Sequence, residues 1–153
     1  NELGCIGRKE ECLEAYREQI PEITLYDGVV DLILELKSKG IKVGIITDGR
    51  VSGQKRKIQA LGLDKLIDDI IITDELGGTQ FRKPCDIAFC IMQRRWRIPF
   101  EQMVYVGDNA VKDFQAPKQL GMRALYFKNE DGLYFTDEAV GIETIKKISD
   151  IVF

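Results

Sequence analysis

The sequence predicts an α/β domain, a Rossmann-like parallel sheet flanked by helices. Three observations carry that expectation. Short apolar runs rich in Ile and Val alternate with stretches of helical periodicity. Gly40, Gly62 and Gly121 each stand where a helical stretch gives way to the next segment. The 153 residues, 44% of them hydrophobic, suffice for one core but not for two large ones.

In chain order, residues 8–20 place Cys12, Ala15, Tyr16 and Ile20 at helical spacing, and Pro21 ends the helix. Asp27-Gly28 is a turn or cap, and a helix over 28–39 carries Val29, Leu32, Ile33 and Leu36 on one face. Ile41 to Ile46 is a buried strand ending at Thr47-Asp48-Gly49. A helix over 52–61 follows, then a short strand at Ile70-Ile71-Ile72. Lys83-Pro84 leads into a helix over 85–96. Residues 103–106 are a strand ending at Gly107-Asp108, residues 111–120 a helix, and residues 123–127 a fourth strand. The tail, 142–150, is read as helix. Residues 1–27 are taken as an N-terminal helical cap or linker remnant, and 28–153 as the α/β core.

Composition narrows the chemistry. Lys plus Arg total 22 and Asp plus Glu 25, so a net charge of −3 offers no bulk attraction to nucleic acid or anionic lipid. The absence of histidine excludes imidazole-based hydrolysis and His-ligated zinc. Cys5, Cys12, Cys85 and Cys90 lack metal-knuckle or redox spacing, which favours reduced thiols and a cytoplasmic location. No run has the length of a membrane span, and no signal-peptide pattern is present. Arg94, Arg95 and Arg97 around Trp96 suit a helix C-terminus better than nucleic acid. Lys55-Arg56-Lys57 reads as a solvated helix face, and Gly77-Gly78 lacks the lysine of a phosphate loop.

In parallel sheets ligands bind beyond the carboxyl ends of the strands. Asp108 at such an end, with Asp113 five residues on, makes either a Mg²⁺ pair or ordinary caps of the next helix. The pair alone leaves both readings open. Thr47 offers a hydroxyl to a phosphate oxygen, though a simple helix cap is the commoner use of such a residue. Lys83 stands before Pro84, where it either neutralises phosphate or is one more solvated lysine.

In order, these residues resemble the haloacid-dehalogenase (HAD) superfamily of phosphohydrolases. Ile45 to Gly49 is similar to its second motif, Arg82-Lys83-Pro84 to its third, and Val104 to Asp113 to its fourth, and the likeness spans residues 26–128. The resemblance implies Thr47, Asp48 and Gly49 as phosphate-binding, Lys83 as charge-offsetting, and Asp108 and Asp113 as Mg²⁺ ligands. Thr47 and Lys83 are then the catalytic candidates, and Asp48 stands where the family often has Asn.

The family's first motif, a strand ending Asp-x-Asp that supplies the nucleophile, should precede residue 8, yet residues 1–7 contain no aspartate. In the family that strand lies between the strands that here end at Thr47 and Asp108. Its absence would leave two inner edges unpaired. An upstream segment, direct pairing of the two strands, or a second chain would each repair this. The start at Asn1 favours the upstream segment. The expected function is a Mg²⁺-dependent phosphomonoesterase acting on a phosphorylated small molecule or other phosphomonoester, with this chain inactive alone. The expected partners are an upstream domain completing the sheet or a second copy, with neither nucleic acid nor membrane. A degenerate HAD-like binding or oligomerisation module is the alternative. A receiver-like phosphoacceptor fits less well, because it also needs acids near its start.

Overall fold

The structure, a computed structural model, describes residues 21–136 and 141–151, together with Arg8 and Glu11. The expected helix over 8–20, the 1–27 cap or linker, Cys5 and Cys12 therefore lie wholly or mostly outside the described residues.

Helix α1, Val29–Ser38, buries Ile33 and Leu36 and leaves Leu34 in solvent, as its apolar spacing requires. Gly40 ends it, and the Ile41 amide turns back onto the Leu36 carbonyl at 3.0 Å. Strand β1, Gly44–Thr47, follows, then α2, Val51–Ala60, and a single helical turn α3, Leu63–Leu66. Strand β2, Asp69–Ile72, runs parallel to β1, with Ile46 opposite Ile71. Two 3₁₀ turns, Thr73–Leu76 and Thr79–Phe81, lead to α4, Ile87–Trp96. Strand β3, Val104–Gly107, helix α5, Gln115–Gln119, and strand β4, Arg123–Phe127, complete the succession read from the sequence.

Two expectations are corrected. The tail is not a helix: β5, Glu143–Ile145, pairs parallel with β4, and a 3₁₀ turn follows at Ile148–Asp150. Ile142, Ile145 and Ile148 are spaced like a helix face, but pairing at the free edge of β4 outweighs that periodicity. The helix expected over 111–120 shortens to α5, because residues 109–113 fold into a turn that serves the strand end.

The core lies where α4 meets the strands: Ile71, Ala88, Phe89, Met92, Met103, Ala116 and Met122 are buried together. Phe89, Tyr105, Phe114 and Tyr126 form a chain of edge-to-face rings, with successive centroids 5.1, 6.5 and 5.9 Å apart. Trp96 belongs to this packing and is not a free stacking platform. A Cβ on Gly44 would come within 2.7 Å of its ring, so only glycine lets α4 approach β1 so closely.

The strands form two separate sheets, β1–β2 and β3–β4–β5, all parallel. Of the three ways to repair the inner edges, direct pairing of β1 with β3 is thereby excluded. A slot of about 510 Å³ lies between them. It is lined by Ile45 and Ile46 of β1, Val104 and Val106 of β3, Leu32 and Leu36 of α1, and Met92 and Trp96 of α4. This explains a discrepancy of burial. The residues of β3, and Ile45 and Ile46 of β1, have the composition of strands covered on both sides, yet are only half-buried.

Candidate active site

The loops after β1, β2 and β3 meet with the segment 82–84 beside the carboxyl ends of the strands. Lys83 is the centre of the cluster. Its Nζ lies 2.8 Å from Asp113 Oδ1 and donates to the Tyr105 hydroxyl at 2.8 Å. Both charged side chains are almost fully enclosed, Lys83 at 9% and Asp113 at 4% exposure. The solvated-lysine reading is therefore set aside for Lys83. The Lys83–Pro84 peptide is cis.

Asp113 is placed by the turn that shortened α5. Its amide donates to the Asn109 carbonyl at 3.0 Å, and the Asn109 amide donates to Asp113 Oδ2 at 2.9 Å. The Asn109 side chain closes the same turn through the Val111 amide at 3.0 Å. Gly107 makes room: a Cβ there would sit 2.7 Å from Asp113 Oδ2 and 2.9 Å from its Cβ. Gly107→Ala is thus expected to displace Asp113 and cost about 1–3 kcal/mol by overpacking. Urea unfolding of the variant checks this; an unchanged midpoint would contradict it. Asp108 is half-buried, and its carboxylate takes no hydrogen bond or ion pair among the described residues.

Thr47 is the last residue of β1, and its hydroxyl donates to Gln54 Oε1 at 3.1 Å. Gln54 Nε2 in turn donates to the Asp48 carbonyl at 3.0 Å, so α2 holds the turn from both sides. Gly49 has φ +133°, and a Cβ there would meet Gln54 Nε2 at 2.8 Å. Asp48 Oδ1 accepts from Thr73 Oγ1 at 3.0 Å and from the Lys83 amide at 3.1 Å, while Oδ2 accepts from Lys112 Nζ at 2.6 Å. Behind it, Arg82 grips Asp74 with two hydrogen bonds of 2.7 Å.

Burial pushes the Asp48 carboxyl up. The Lys112 bond, the Lys83 amide and ammonium, and the Thr73 hydroxyl outweigh it and hold the group below the ordinary 3.8. A depressed folded value means that the stabilisation is complete above 3.8 and lost as pH falls through the folded value. Unfolding stability should therefore drop on acidification below about pH 4, and Asp48→Asn should flatten that drop in a urea titration. An equal drop in both proteins would contradict it. Tyr105 is driven well above 10 by burial and then by the charges of Asp113, Asp48 and Asp108, so it keeps its proton.

Thr47, Asp48, Lys83 and Asp113 thus lie in one connected network, while Asp108 and Gly49 adjoin it in sequence. Sequence reasoning did not assign Gln54, Tyr105 or Lys112. Lys112 sits inside the fourth motif and Tyr105 three residues before Asp108 on a strand, which were the available signals. Asp108 and Asp113 alone fall short of a cation cage. Among the described residues no group of three or more acids or thiols is placed to hold a metal ion. Asp113 Oδ2 accepts the Asn109 amide, while the buried Oδ1 faces the Lys83 ammonium at 2.8 Å without a hydrogen bond of its own.

A hydroxyl, a buried ammonium and two carboxylates thus meet beside the ends of parallel strands. Comparisons with known proteins give the family. Residues 2–147 match the haloacid dehalogenase-like hydrolase family, and the chain belongs to that family. It is 34% identical over 130 residues to the glyceraldehyde 3-phosphate phosphatase of Methanocaldococcus jannaschii, covering 83% of this chain and 54% of that protein. It resembles in structure a HAD phosphatase from Thermococcus onnurineus, with a TM-score of 0.64 and 27% identity, covering 93% of this chain and 61% of the other. A HAD hydrolase, YfnB from Bacillus subtilis, bound to magnesium, shares the fold at a TM-score of 0.61 and 24% identity, covering 81% and 52%. The chain spans about half the length of the curated relatives it matches. No helix among the described residues is long and apolar enough to cross a membrane.

Proposed function

We propose that the chain is the phosphate-gripping part of a phosphomonoesterase, completed by a strand seated between β1 and β3 that brings the carboxylate nucleophile. The observation that carries this is the slot. It runs up to Ile46 and Val106, the residues next to Thr47 and Gly107, and apolar side chains of both α1 and α4 line it. Those are the surroundings a central parallel strand requires. A strand seated there would end beside Lys83.

The nucleophilic carboxylate oxygen bonds to phosphorus as the P–O ester bond breaks, and the ester oxygen leaves with a proton given by the second acid of the seated strand. Water then attacks the acyl phosphate, regenerating the carboxylate and releasing inorganic phosphate. The Thr47 hydroxyl turns from Gln54 Oε1 to hold a phosphate oxygen, the Asp48–Gly49 turn frames it, and the Lys83 ammonium offsets charge building on the phosphoryl group. Asp108 and Asp113 serve Mg²⁺ only alongside further acids, so no step is assigned to an ion here. The likeness to glyceraldehyde 3-phosphate phosphatases favours a small phosphorylated sugar as substrate.

The test is an assay of the whole protein on glyceraldehyde 3-phosphate and on an aryl phosphate, with Lys83→Met as control. Turnover that collapses in the variant supports the reading; a whole protein without turnover on any phosphomonoester would overturn it. A dimeric mass by light scattering would instead favour a second copy as the occupant of the slot. The chain alone should bind Mg²⁺ no more tightly than about 1 mM, since few oxygen ligands remain. Micromolar binding by calorimetry would contradict this.

A further inference from the structure

Although β1 and β3 share no backbone pairing, the turns that follow them are joined. The tie is Lys112 Nζ on Asp48 Oδ2 at 2.6 Å, between residues 64 apart in sequence. The other oxygen of Asp48 takes the Thr73 hydroxyl and the Lys83 amide. One carboxylate, only 6% exposed, therefore gathers the ends of β1 and β2, the Lys83 segment and the turn after β3. Such an anion conflicts with a pocket meant to hold phosphate, because a like charge nearby repels the ligand. Lys112, at 31% exposure, removes the conflict by pairing with it.

We propose that Asp48 is a positioning residue that fixes the backbone of Lys83, and that Lys112 is the neutralising partner that makes an aspartate tolerable at this place. Asp48 works through Lys83 and does not itself touch the phosphoryl group. Lys112 sets the charge of the pocket. The inference rests on the phosphatase reading for the identity of the anion, but the clasp itself can be examined without turnover.

Three variants of the full chain separate the roles: Lys112→Met, Asp48→Asn with Lys112→Met, and Asp48→Ala with Lys112→Met. Inorganic phosphate is the probe for binding, hydrogen exchange of the Lys83 amide reports positioning, and thermal melting confirms folding. Lys112→Met leaves the carboxylate uncompensated and should weaken phosphate binding about 10-fold. Asp48→Asn/Lys112→Met restores neutrality and keeps an oxygen acceptor for the Lys83 amide. It should recover phosphate binding to within about 3-fold and keep the amide protected. Asp48→Ala/Lys112→Met is neutral but lacks the acceptor, so exchange at Lys83 should quicken roughly 10-fold or more.

If the Asn double variant binds phosphate as poorly as Lys112→Met, charge neutralisation is wrong and the pair is only a structural tie. Unchanged Lys83 exchange in the Ala double variant overturns the positioning role. If no form binds phosphate, including the unaltered chain, the phosphatase reading loses support and the neutralising role falls with it, while Lys83 exchange still decides positioning.

Discussion

The isolated chain should hydrolyse an aryl phosphate no faster than buffer, even with Mg²⁺ present. The described residues supply an ammonium, a hydroxyl and two strand-end acids, but Asp113 already faces the Lys83 ammonium and the Asn109 amide, and no carboxylate is among the described residues lining the slot between β1 and β3. Removing the nucleophile of an enzyme commonly costs about 10⁴- to 10⁶-fold in rate, which places residual turnover below detection in a simple assay. A stopped colourimetric assay over hours measures this. Robust turnover that disappears in Asp108→Ala would show that the chain carries its own nucleophile, and the account of the slot would fail.

The second large effect concerns Lys83 and Asp113. Their side chains are 9% and 4% exposed and 2.8 Å apart, so each is the other's main compensation. Lys83→Met strands the Asp113 carboxylate with the Asn109 amide as its remaining backbone donor. The expected loss is about 3 kcal/mol, since breaking a buried pair costs more than the pair is worth. For a domain of this size that is a fall in melting temperature of roughly 6–12 °C. Lys83→Met combined with Asp113→Asn removes both charges and should recover all but about 1 kcal/mol. Urea unfolding of the single and double variants measures the coupling. Strictly additive losses would mean that the ion pair does not hold the site together.

The class of fold was legible because period and punctuation agreed. Ile70–Ile72 fell within β2 and residues 123–127 matched β4 residue for residue, while the strand read over 41–46 starts only at Gly44. The three stretches that hold Thr47, Lys83 and Asp113 were legible for the same reason, since each sits where a strand or a proline fixes the chain. The tail was misread because isoleucines three apart suit a helix, and only the free edge of β4 reveals why strand wins. Tyr105 and Gln54 were not legible as site residues. Their roles depend on partners 22 and 7 residues away, and nothing in a local pattern distinguishes a strand tyrosine in the core from one that holds an ammonium. The Asp48–Lys112 tie was hidden for the same reason.

The slot shows what the sequence could anticipate but not decide. The family resemblance implied two inner edges without a partner and left three remedies open. The structure removes one of them, because β1 and β3 stand apart with apolar side chains between them.

The most direct test is backbone hydrogen exchange at β1 and β3, in the chain alone and after an extended apolar peptide ending in Asp-x-Asp is added. Occupation of the slot predicts that amides of Gly44–Thr47 and Val104–Gly107 pointing into it exchange rapidly at first and become protected with the peptide. Protection already complete in the chain alone, or unaltered at saturating peptide, would contradict it.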